Sequence, residues 1–163
     1  MSLRNSVLLP STVTKTLVCI DTMEHYEFAG KILNPYMQKI YSFKGVKEFL
    51  DIMDNFFDEI GFPQPYYSER TFDDTKTFAS YSRKDAVEIN SCWVENNFEE
   101  YSGDIVTFIL NVKFRQNASW QGDIEWREKK ISNNFRSSLE LIKLIDSAIE
   151  NVYTGYLKMG WDL

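Results

Sequence analysis

The sequence predicts an α+β domain built from two β-β-β-α units, an antiparallel sheet with both helices packed on one side. Three observations predict it. Residues 113–150 read as strand, turn, strand and amphipathic helix, and a degenerate copy lies 92 positions earlier, with Gly30 on Gly122, Ile32 on Ile124, Phe43 on Phe135 and Glu48 on Glu140. Residues 106–115 alternate with period two, Phe108, Leu110, Val112 and Phe114 against Ile109, Asn111, Lys113 and Arg115, as a strand with one buried face does. Each unit then ends in an apolar stripe at helical spacing.

Residues 1–12 read as a flexible leader, and Thr14–Met23 as the first strand, with Thr16, Val18, Ile20 and Thr22 inward. The second strands carry Phe28, Gly30 and Ile32, and Trp120, Gly122, Ile124 and Trp126, on their inner faces. A glycine inside a strand needs a reason. Either a ring or helix lies over it, or the same β-bulge recurs in both units. Asn34-Pro35-Tyr36 and Arg127–Lys130 turn into short third strands ending at Phe43 and Phe135.

The first helix starts near Gly45 and shows Val46, Phe49, Leu50, Met53, Phe56, Phe57 and Ile60 as one stripe; Gly61 and Pro63 stop it. The second starts from Ser137-Ser138-Leu139-Glu140, a capping box in which Ser137 accepts from the Glu140 amide and the carboxylate reaches back. That role accounts for Glu48 and Glu140 without catalysis. A single domain, 1–163, is expected, with units at 14–60 and 105–152, an insertion at 64–103 and a docking tail at 153–163. Within the insertion, Phe78–Ser82 and Ala86–Val94 suggest a hairpin, serving as a cover over the sheet or as a functional loop.

Composition bounds the function. The chain has 163 residues, 44% hydrophobic, and a formal net charge of −6, which supports a packed core and weighs against duplex nucleic acid as the main partner. No apolar run is long enough to span a bilayer and no signal peptide is legible, so the expected compartment is the cytosol. Cys19 and Cys92 read as reduced and buried, and His25 is the one histidine. No catalytic motif occurs, and Asp54, Asp58 and Glu59 lack the partners of a metal site, so neither an enzyme nor a cofactor is expected. Charge is uneven: residues 113–136 carry six basic and three acidic side chains, whereas helix 46–60 carries one against five. Such patches could steer two chains together or serve only to solvate the protein.

RQNASWQGDIEW followed by NFRSSLELIKLIDSAIE resembles an uncharacterised family of small bacterial proteins of the Clostridia and related Firmicutes. Its members carry RQNA(S/T)WQG and then FRSALELLKLIDSAL. GKILNPYMQKIYSF and DEIGFPQ are similar to the N-terminal half of that family. The likeness spans about two thirds of the chain, departs most over 64–101, and implies no activity.

Function is expected at the loop Arg115–Ser119. Arg115, Gln116, Asn117 and Arg136, beside Trp120 or Trp126, present donors and acceptors next to aromatic surface, as a small-ligand or peptide site requires. In this reading Arg115 faces outward and Arg136 precedes a helix N-terminus that favours an anion. The bland alternative makes Asn117 a turn residue, Trp120 core, and Arg115 the partner of a nearby acid. The leading expectation is a non-enzymatic binding or adaptor module with a protein partner or a second copy of itself. The alternative is a regulator that binds a small, nucleotide-like anion.

Overall fold

The computed structural model describes residues 11–37, 39–65, 72 and 95–158. It contains a six-stranded antiparallel sheet in the order β3-β2-β1-β4-β5-β6. The strands are β1 (Thr16–Glu24), β2 (Glu27–Leu33), β3 (Tyr41–Lys44), β4 (Val106–Phe114), β5 (Gln121–Trp126) and β6 (Ile131–Phe135). Two helices, α1 (Gly45–Ile60) and α2 (Ser138–Lys158), come after the third strand of each triplet. The fold is therefore α+β with helices on sheet. None of the described helices is long and apolar enough to cross a membrane.

One large core joins both helices to one sheet face. Val18, Ile20, Phe28, Ile32 and Phe43 from one triplet and Leu110, Val112, Trp120, Ile124 and Phe135 from the other pack on Phe49, Met53, Phe57, Leu141, Ile145 and Ile149. Phe49 sits between Phe28 and Trp120, with ring centroids 6.4 and 6.3 Å away. The aromatic residues thus bind the two triplets through one side chain.

The registers of the triplets are related by the same 92-residue offset as the sequence. Val18 faces Ile32 and Ile20 faces Gly30, while Leu110 faces Ile124 and Val112 faces Gly122. Gly30 lies opposite Phe43, and Gly122 opposite Phe135. Irregularities fall between Ile20 and Thr22 and between Val112 and Phe114, again at matched places. A Cβ on Gly30 would overlap the Cys19 carbonyl, and one on Gly122 would overlap the Asn111 carbonyl. The glycines therefore exist for close backbone approach beside a bulge.

Each helix start is held alike. The Glu48 carboxylate accepts from the Lys44 amide at 2.7 Å, and that of Glu140 from the Arg136 amide at 3.3 Å. Ser137 Oγ accepts from the Glu140 amide at 3.0 Å, half of the expected capping box. The carboxylate, however, reaches Arg136 rather than Ser137.

The opposite sheet face is covered in part by the end of the insertion. Glu95–Glu100 forms a 3₁₀ turn, and Phe98 and Tyr101 pack on Leu17, Cys19 and Leu33. Arg127 pins this cover by donating to the Phe98 and Tyr101 carbonyls, both at 2.7 Å. Burial pushes the Cys19 thiol up to about 11, with help from the Asp21 charge.

Several boundaries differ from expectation. The first strand starts at Thr16 because Ser11–Thr14 forms a 3₁₀ turn, tied down where Thr14 donates to Asn111 and Val112. The buried Asn34 donates back to Val13 and Lys15, so Asn34-Pro35-Tyr36 braces the start of the chain as well as turning it. α2 runs on to Lys158, through most of the expected tail. The expected hairpin of 78–94, the leader before residue 11, Cys92 and residues 159–163 lie outside the described residues.

Candidate functional site

The loop expected to carry function is the β4–β5 hairpin turn. Asn117 and Ala118 both take positive φ, 55° and 54°, and the Ser119 amide donates to the Gln116 carbonyl at 3.0 Å. Positive φ at both central residues is what a type I′ hairpin turn requires, and asparagine tolerates it well. Asn117 is exposed at the tip.

Gln116 and Arg136 meet through their backbones, by way of Gln121. The Gln121 side chain accepts from the Gln116 amide and donates to the Gln116 carbonyl, both at 2.9 Å, and to the Arg136 carbonyl at 3.3 Å. The Arg136 side chain is 88% exposed and turns instead to Glu140 in the first turn of α2. Ser119 Oγ accepts from the Ser138 amide at 2.7 Å and so occupies the N-terminus of α2.

Arg115 overturns the expected register. It is 2% exposed, whereas Phe114 is half-exposed. The bulge between Val112 and Phe114 inserts one residue, which flips the parity of the residues beyond it. Arg115 therefore enters the helix face and leaves the company of Asn117 and Arg136. Its Nη1 donates to Asp58 Oδ1 at 2.7 Å and lies 3.7 Å from Asp54 Oδ1. Its Nε donates to the Pro63 carbonyl at 2.7 Å, and its guanidinium stands over the Phe57 ring. Nη2 is buried and has no hydrogen-bond partner among the described residues.

Trp120 belongs to the same assembly. It is buried against Phe49 and Phe57, and its indole N–H donates to Asp54 at 2.9 Å. The acids of α1 thus meet an arginine and an indole from the other triplet. Trp126 is half-buried with Lys129 over its ring. Of the expected set, the structure places Gln116, Asn117 and Arg136 at the surface and Arg115 and Trp120 in the core.

The 92-residue offset exposes an asymmetry. Asp54 corresponds to Asp146, Asp58 to Glu150, Arg115 to Met23 and Trp120 to Phe28. The second acid pair therefore lacks counterparts of the arginine and the indole. Burial, and then the Glu150 charge, raise the Asp146 carboxyl above the usual aspartate range. No group of three or more potential metal ligands occurs among the described residues.

Sequence reasoning passed over the other hairpin tip. His25 and Tyr26 join β1 to β2 with φ of 51° and 64°, and Tyr26 is 96% exposed. Their counterparts under the offset are Asn117, which such a turn favours, and Ala118, which holds the same positive φ with only a methyl group. Aligning the two turns would have marked Tyr26 as the unusual one. Comparisons of the chain with protein families, with curated proteins and with solved structures find no match.

Proposed function

We propose that the protein is a non-enzymatic binding module that works in the cytosol and takes a polypeptide partner at the tip of its β1–β2 hairpin. One observation carries this reading: Tyr26 is a 96% exposed aromatic at the hairpin tip, where its counterpart Ala118, in the same left-handed conformation, presents only a methyl group. A left-handed backbone costs a non-glycine residue about 1–2 kcal/mol. Ala118 bears the same cost, so what sets Tyr26 apart is its exposed ring. Aromatic side chains are the residues that anchor protein interfaces, burying large area for few rotamers. We propose further that the two halves are products of an internal duplication, supported by their matched registers, bulges and helix starts. The hairpins would then have diverged, one keeping Asn117-Ala118 and the other gaining an anchor.

The small-anion alternative has less to work with. The Arg115 guanidinium faces Asp54 and Asp58, and Arg136 faces Glu140. A thermal-shift series with nucleotides would revive it if Tm rose with ligand concentration.

The test is photo-crosslinking in the producing cell. A benzophenone side chain at position 26 should give a discrete adduct, and one at position 118 should give none. An adduct of twice the chain mass would make the partner a second copy. Indistinguishable patterns at the two tips would sink the reading.

A further inference from the structure

β6 ends the sheet and leaves one row of backbone groups unpaired among the described residues. The ladder fixes which groups these are. The Arg127 amide donates to the Thr107 carbonyl of β4. Hydrogen-bonded pairs alternate in antiparallel sheet, so residues 125 and 123 also face β4, and 126, 124 and 122 face β6. Their partners on β6 are Ile131, Asn133 and Phe135. Ser132 and Asn134 therefore turn their N–H and C=O groups outward.

This edge lacks the usual protection. Strand edges are blunted by lysines, prolines, bulges or extreme shortness. β3, the other edge, has four residues and includes Lys44. β6 has five, with no charge, no proline and an unbroken register. Ile131, Ser132, Asn133 and Asn134 are all exposed, Ile131 at 51%. Positive charge brackets the strand, with Lys129 and Lys130 before it and Arg136 after it. Two copies pairing antiparallel with Ser132 against Asn134 would set Lys130 of one against Arg136 of the other, which like charges oppose.

We infer that the free edge of β6 takes an extended, acidic segment of another polypeptide as a seventh strand. The added strand exchanges hydrogen bonds with Ser132 and Asn134, and its carboxylates meet Lys130 at one end and, at the other, compete with Glu140 for the exposed Arg136. Strand addition of this kind draws affinity from main-chain bonds and selectivity from the flanking side chains. The inference rests on the partner-binding reading but uses a surface separate from Tyr26.

The experiment uses the full chain and a capped nine-residue peptide alternating glutamate with valine. Binding should protect the Ser132 and Asn134 amides from hydrogen exchange and should weaken as salt is raised. Asn134→Pro, which deletes an outward N–H and leaves the β5 ladder intact, should raise Kd at least tenfold. N-methylation of alternate peptide residues should do the same without altering the protein. Tyr26→Gly should leave this Kd unchanged, so failure here is distinguishable from failure at the hairpin tip. Equal binding of a lysine–valine peptide, unchanged affinity for Asn134→Pro and for the methylated peptide, or no binding at millimolar peptide would each overturn the proposal.

Discussion

Arg115 and Arg136 look alike in the sequence, as basic residues at the edges of a conspicuous loop, yet they face different solvents. Arg115 is an interior charge whose three polar contacts tie the end of β4 to α1 and to the segment after it. A hydrogen bond to a charged group is worth about 1.5–3 kcal/mol, and the half-exposed Asp58 keeps this pair from counting as wholly buried. Arg115→Ala should therefore lower unfolding free energy by about 3 kcal/mol in a urea titration. Arg136→Ala, removing an exposed pair at the start of α2, should change it by less than about 0.5 kcal/mol. The outward register read from residues 106–115 predicts no loss in either case. It failed because the alternation of Val112, Lys113, Phe114 and Arg115 continues through the bulge without a mark. The mark lay on the neighbouring strand, in the paired glycines. The charge imbalance between the halves was a second pointer, since the acids of α1 are what Arg115 meets.

Strands, turns and helix starts were legible to within a few residues, because each rests on local chemistry. Period-two alternation placed β4, the Ser137 and Glu140 pair placed α2, and Phe43 and Phe135 are buried as their matched positions require. What local patterning leaves out is which carbonyl a strand neighbour brings close. Gly30→Ala and Gly122→Ala should each cost about 3 kcal/mol or more, the upper end for overpacking, since backbone rather than a pliable side chain blocks the Cβ. Equal melting of these variants and the parent would remove the bulge account. α2 offers the converse case. Gly155 lies in its last turns with no atom within 4 Å of an added Cβ, so Gly155→Ala should gain about 0.5–1 kcal/mol. Asp146 adds a pH signature. Its folded carboxyl titrates above the unfolded one, so the charged form weakens the fold once pH exceeds the folded value. Asp146→Asn should stabilise the protein at pH 7, and the gain should vanish in acid below the ordinary aspartate range, where both states are protonated. Paired urea melts at pH 7 and pH 3 would show it.

At the scale of the molecule, the two triplets share one core, and Phe49, Trp120 and Arg115 each reach from one to the other. Unfolding should then be a single event. Tryptophan fluorescence, which senses the buried Trp120, and far-ultraviolet dichroism should give coincident denaturation curves. Two separated transitions would show the halves to be independent. The candidate site was less legible than the fold, because the bulge that turns Arg115 into the core leaves no mark in its own strand, and the exposed ring of Tyr26 stands out only beside its structural counterpart. The β1–β4 seam carries one more consequence. Leu17 pairs with Ile109, its own counterpart under the 92-residue offset, with Thr16 on Leu110 and Val18 on Phe108 on either side. A strand meeting an identical strand across a two-fold axis must pair in this self-complementary way. Under the duplication proposed above, this seam is the one by which twin half-length chains would close into a symmetric pair, so a fusion would keep the interface and alter only the linkage.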